Sequence, residues 1–157
     1  SDTVQWAFEN GNLFFDNNTT QLVVSTVEGN YPDFSSIVPK TFQTEIVTQV
    51  TAMKNACKLL SIIAREGTNV VVLDCKDKEI ELIADSSEVG SANASVDCEM
   101  SGLPVKFGLN IKFLQQALSA TVTNDIVMKM YANNTPVMLL DKNFPEWLCV
   151  IMPMHIG

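Results

Sequence analysis

Residues 48–83 read TQVTAMKNACKLLSIIAREGTNVVVLDCKDKEIELI, and the spacing of the apolar side chains changes once along this stretch. Over residues 48–65, Val50, Met53, Cys57, Leu60 and Ile63 or Ala64 recur at three- and four-residue steps, the stripe of an amphipathic helix. Gly67 is placed to end that helix as a C-terminal cap. Beyond it, Val70-Val71-Val72-Leu73 and Glu79-Ile80-Glu81-Leu82-Ile83 flank the polar turn Cys75-Lys76-Asp77-Lys78, which signals a strand hairpin. A helix leading directly into paired strands points to an α+β fold.

The same grammar continues downstream. Residues 94–100 supply a further strand and residues 105–109 another. Residues 111–120 form a second helix, with Leu114, Ala117 and Leu118 on its apolar face and Asn110 as N-cap. Strands over residues 126–131 and 136–140 flank Asn133-Asn134, and residues 147–152 form the last strand. In order this is strand, helix, three strands, twice over, a β-α-β-β-β unit that recurs after roughly 60 residues. Upstream, residues 4–8, 12–15 and 22–27 read as three strands around Glu9-Asn10-Gly11 and Asn17-Asn18 turns, like the tail of a further unit. Three such strands are poorly stable alone, so the expectation is a chain cut from a longer one. Residues 28–39 then read as a connector.

At 157 residues and 46% hydrophobic content, the chain has enough apolar material for a packed domain. No apolar run approaches the length of a membrane helix, and no basic-then-apolar leader opens the sequence. Cys57, Cys75, Cys98 and Cys149 are scattered, with no C-x-x-C pair, so reduced thiols and a cytoplasmic location are expected. Four glycosylation-type triplets, beginning at Asn17, Asn18, Asn93 and Asn133, are read as chance matches in polar turns.

The net charge of −8 argues against a protein that coats nucleic acid. Its distribution is uneven, however. Between Glu45 and Glu66 no acid occurs, while Lys54, Lys58 and Arg65 fall on one side of the first helix. The carboxylates Asp74, Asp77, Glu79, Glu81, Asp85 and Glu88 lie in strands and turns. Catalytic parts are scarce. His155 is the only histidine, and neither G-x-x-x-x-G-K nor G-x-G-x-x-G is present. Glu79 and Glu81 share a strand face and read as a solvated sheet edge, not an acid–base pair. No enzyme activity, cofactor or metal site is expected.

Three stretches resemble one family. Glu28-Gly29-Asn30-Tyr31-Pro32-Asp33-Phe34 followed by Ile37-Val38-Pro39-Lys40 resembles the connector of the bacterial sliding clamp, the beta subunit of DNA polymerase III. Residues 107–114, FGLNIKFL, resemble its strand-to-helix motif, and Val150-Ile151-Met152-Pro153-Met154 resembles its closing V-V-M-P-M-R-L. They stand in family order across nearly the whole chain. The resemblance implies that residues 1–31 end a second clamp domain, residues 32–40 connect, and residues 41–157 form a third. It also implies a replication processivity factor, a homodimeric ring around duplex DNA that tethers polymerase, clamp loader and other proteins carrying a clamp-binding motif. A chain of this extent is not expected to close such a ring.

Carried over position by position, the resemblance implies a partner-peptide pocket of Pro32, Ile37, Asn110, Phe113, Pro136, Val150, Ile151, Met152, Pro153 and Met154. It implies a DNA-facing set of Lys54, Lys58, Arg65 and Lys112, against which a merely solvated helix face is the competing reading. Methionines suit such a pocket because they adapt to varied apolar ligands, and Asn110 is placed to anchor a peptide amide. Departures from the family pattern at Ser36, Thr68, Asn134 and His155 leave the peptide preference open. The alternative functions are a stand-alone clamp-like interaction domain that does not encircle DNA, and an enzyme of unrecognised type.

Overall fold

A computed structural model describes residues 3–31 and 33–156. The chain divides into two compact units, Ser1–Asp33 and Phe34–Gly157. The first holds an antiparallel meander of β1 (Gln5–Glu9), β2 (Asn12–Asp16) and β3 (Gln21–Ser25). Its β1–β2 turn is the pair Asn10-Gly11, both at positive φ (49° and 75°), which matches the twist of a tight hairpin. The meander has no core of its own: Trp6 and Phe8 are exposed, at 69% and 60%.

The second unit opens with a 3-10 turn at Phe34–Ser36 and then runs β4 (Thr44–Gln49), α1 (Val50–Arg65), β5 (Val70–Lys76), β6 (Glu79–Ser86) and β7 (Gly90–Gly102). The pattern repeats as β8 (Val105–Asn110), α2 (Ile111–Ala120), β9 (Asp125–Met130), β10 (Val137–Asp141) and β11 (Phe144–Ile151). All eight strands form one sheet in the order β11-β10-β9-β4-β7-β6-β5-β8. The order exposes the duplication. Each half-sheet combines three strands of one repeat with the first strand of the other, so neither repeat can complete its sheet alone.

The helices bury their stripes against the sheet and each other. Met53, Cys57, Leu60 and Ala64 of α1 join Ile111, Leu114 and Leu118 of α2 in one core with Ile46, Leu73, Ile80, Leu82, Phe107, Leu109 and Met128. Each fully buried Leu or Ile there stabilises the fold by about 1.5–3 kcal/mol relative to its exposed state. Gln115 Nε2 on α2 donates to the Cys57 carbonyl on α1 at 3.1 Å, which ties the helices directly. Cys57, Cys75 and Cys98 are buried and Cys149 half-buried, all as free thiols. Burial pushes the Cys57 and Cys75 thiols up to about 12, so they act as packing groups.

Several expectations need correcting. α1 begins at Val50, because Thr48 and Gln49 are still paired in β4 with Ile126 and Asp125 of β9. Gly67 is not in the left-handed region; that conformation falls on Asn69, at φ 58°, whose amide bonds the Ala64 carbonyl at 2.9 Å. Glycine is needed at 67 for another reason, since a Cβ there would lie 2.7 Å from the Asp85 carbonyl. The β5–β6 turn is only Asp77-Lys78, with Cys75 inside the core. Glu79 and Glu81 occupy an interior strand, not a sheet edge, and Glu81 accepts a bond from Asn93 at 3.1 Å. Asn93 itself is mid-strand in β7, not in a turn.

Candidate peptide and DNA sites

The two places where the half-sheets meet differ. β4 and β7 pair over five consecutive positions, from Thr44↔Gly102 to Thr48↔Cys98. The corresponding meeting of β8 with the end of the chain is a single isolated bridge, Gly108↔Met154, in which the Met154 amide donates to the Gly108 carbonyl at 2.8 Å. Beside that bridge the chain leaves an apolar hollow of about 460 Å³. Its walls are Phe113, Gln116 and Ala117 of α2 and the 149–154 segment.

Local sequence explains this geometry. Asn110 ends β8 and caps α2, its Oδ1 accepting from the Lys112 amide at 3.0 Å. That cap fixes where the helix starts, and Phe113 then projects from the first turn at the flank of the Leu114–Leu118 stripe. Phe113 is 56% exposed, Met152 58% and Met154 41%. Three large apolar side chains converge on one opening without burying one another, an arrangement typical of a ligand surface.

Of the residues anticipated for the pocket, Phe113, Val150, Ile151, Met152, Pro153 and Met154 line this hollow. Asn110 is not among its lining residues; its carbonyl oxygen is engaged in capping its own helix. Ile37 and Pro136 belong to a different hollow of about 390 Å³, with Ser36, Val38, Tyr131 and Thr135. Pro32 lies outside the described residues. Gln116, Ala117 and Cys149 were missed, although Gln116 and Ala117 are three and four residues beyond Phe113 and share its helix face.

On the helices, Lys54, Lys58, Arg65 and Lys112 are all exposed. The ion pairs among the described residues are Lys76–Asp74, Lys106–Asp74, Lys129–Glu45 and Lys142–Asp125, all on strands or their turns. The four helix cations take part in none of them. Leu59 and Ile62 are exposed on the same α1 surface, so its polarity is mixed. Among the described residues no group of three or more His, Cys, Asp or Glu is placed to hold a metal ion, and no helix is long and apolar enough to cross a membrane.

A buried carboxylate supports the second repeat from below. Asp141 is 2% exposed and accepts from the Thr123 hydroxyl and from the amides of Val122, Thr123 and Asn143. Burial works to raise its pKa, but these four hydrogen bonds outweigh it and hold the carboxyl down at about 2. Asp141 thereby pins the loop after α2 to the β10–β11 turn.

The chain was compared with known proteins. It is 24% identical to the beta sliding clamp of Synechococcus elongatus over 150 residues, covering 94% of this chain and 40% of the relative. It is 25% identical to that of Staphylococcus aureus over 150 residues, with the same coverage of 94% and 40%. The chain thus spans 40% of the length of these curated relatives. Among solved structures, the DNA polymerase III beta subunit of Thermotoga maritima superposes with a TM-score of 0.84 at 20% identity, over 98% of this chain and 42% of the other. The sliding clamp of Bartonella birtlesii bound to griselimycin gives 0.84 at 19% identity, over 98% and 41%. These structures share the α+β fold of alternating helices and strand triplets. Residues 35–155 match the family described as DNA polymerase III beta subunit, C-terminal domain, and to that family this chain belongs.

Proposed function

We propose that this chain is part of a DNA replication processivity factor, a non-catalytic sliding clamp that holds partner proteins on duplex DNA. In this reading residues 1–31 end a second clamp domain, residues 32–40 connect, and residues 41–157 form a third. The observation that carries the reading is the apolar hollow of Phe113 and the 149–154 segment. Its occupant is a short extended peptide with a glutamine and two or three large apolar residues, the clamp-binding motif of polymerase, clamp loader and similar partners. Gln116 on the rim offers the one side-chain amide among the lining residues, and Met152 and Met154 adapt to different anchors. Ile37 and Pro136 extend the surface along a second hollow.

Lys54, Lys58, Arg65 and Lys112 form the DNA-facing set in the intact ring. The support is that, among the described residues, none of the four stands in an ion pair, whereas Lys76, Lys106 and Lys129 on the strands do. Without topological linkage, binding of this chain to duplex DNA is weak and falls with salt.

Isothermal titration with such a peptide tests the proposal. Binding is expected, and deletion of residues 154–157 is expected to abolish it with little change in the unfolding transition. Met154→Ala weakens binding by about 1–2 kcal/mol. Undiminished binding to the deletion variant contradicts the assignment.

A further inference from the structure

Glycine at 108 has no conformational reason that its own backbone supplies. It is not among the residues with positive φ, and it lies inside a regular strand. What surrounds it does give a reason. A Cβ at this position would fall 2.7 Å from Ile156 Cγ2, 3.1 Å from Val70 Cγ1 and 3.2 Å from the Met154 carbonyl. Two of the three contacts come from the last residues of the chain, which return across β8 after β11 has ended. Gly108 is also the residue that accepts the Met154 amide.

The bridge therefore joins the two walls of the apolar hollow. β8 runs straight into α2, which supplies Phe113, Gln116 and Ala117; β11 runs straight into the tail, which supplies Met152, Pro153 and Met154. One backbone hydrogen bond and one close packing contact set the distance between them. From this we infer that Gly108 is a positioning residue for the peptide site: it lets residues 154–156 dock as a strap on β8, and the docked strap holds Met152 and Met154 at the mouth of the hollow. The inference rests on the peptide-site reading given above.

The prediction is specific because the closest obstacle is one side chain. Gly108→Ala pushes Ile156 off β8 and releases the strap, while the core strands stay paired. Amide exchange at Met154 becomes fast while exchange at Val72 and Leu82 in β5 and β6 stays slow. The methyl resonances of Met152 and Met154 move toward their values in unstructured peptide. Peptide affinity falls by about tenfold, a loss typical of a site whose preorganisation is removed. Ile156→Ala, which takes away the 2.7 Å obstacle, restores Met154 protection and most of the affinity in the double variant. A general packing defect at 108 would not be rescued in this way.

If Gly108→Ala keeps Met154 protected, or exposes it without loss of affinity for a peptide that the unaltered chain binds, the inference is overturned. Failure of Ile156→Ala to rescue overturns it as well. If the unaltered chain binds no peptide, the peptide-site reading fails instead. The strap itself then stands or falls on the Met154 exchange and its rescue.

Discussion

A hollow lies beside the start of each helix, and the two hollows differ in chemistry. In the first repeat it is about 430 Å³ and is lined by Val47, Thr48, Gln49, Ala52, Asp97, Cys98, Glu99, Asp125 and Lys142. In the second it is about 460 Å³ and contains Phe113 and the 149–154 segment. Ala52 and Phe113 are both the third residue of their helices. The topology thus creates a hollow twice, and the side chains make one polar and the other apolar. The strand pairing follows the same division. β4 and β7 are joined by five residue pairs, whereas β8 meets the chain end by one, so the second hollow stands beside the more loosely joined seam.

The largest expected effect falls on the tightly joined side. Gly102 has φ 105°, and a Cβ there would lie 1.9 Å from the Gln43 carbonyl. Gly102→Ala is expected to cost about 3 kcal/mol or more of stability, because strain and a backbone clash combine. Gly108→Ala, at the loosely joined side, is expected to cost less than about 1 kcal/mol, since its main obstacle is the end of a side chain that can move. Urea denaturation of the two variants measures the difference. Equal losses would mean that the seams are not mechanically distinct.

The next effect concerns binding alone. Phe113→Ala removes one apolar anchor from the hollow and is expected to weaken peptide binding by about 2 kcal/mol, roughly thirtyfold. Because the ring is more than half exposed, stability should change by no more than about 0.5 kcal/mol. Calorimetry paired with thermal unfolding checks both numbers, and a large stability loss would mark Phe113 as a core residue.

A smaller effect separates the repeats by pH. In the first repeat the segment after α1 is held by a neutral contact, Ser86 Oγ donating to the Glu66 carbonyl at 3.1 Å. In the second the equivalent contact is the ionised Asp141. Its folded pKa of about 2 lies below the ordinary 3.8, so its contribution is fully present above 3.8 and is lost as pH falls toward 2. Amide protection of residues 121–124 is expected to fade through that window before protection of residues 66–69. Asp141→Asn should remove this pH dependence, and an unchanged acid transition in that variant would show that another group is responsible.

Much of this architecture was legible from local pattern. α2 was bounded correctly because a polar N-cap and a clean apolar stripe both mark it. α1 was started two residues early because Thr48 and Gln49 still pair in β4, and the turn after β5 was drawn too long because its cysteine reads as polar but packs inside. The role of Gly67 was misread for a related reason, since a glycine required by a neighbouring strand looks in sequence like one required by a helix end. The apolar 150–154 run and Phe113 were legible from the family resemblance. Their convergence was not legible from spacing, because it depends on pairing between residues far apart in the chain. The same limit hides from the sequence that Ile37 and Pro136 line a separate hollow, and that the first repeat carries a hollow beside its own helix.

Nuclear magnetic resonance mapping of a glutamine- and leucine-containing peptide onto the chain compares the two hollows most directly. Shifts are expected at residues 113–117 and 149–154, with residues 47–52 and 97–99 undisturbed. Shifts centred on the first hollow, or on the Asp77-Lys78 turn, would contradict the account.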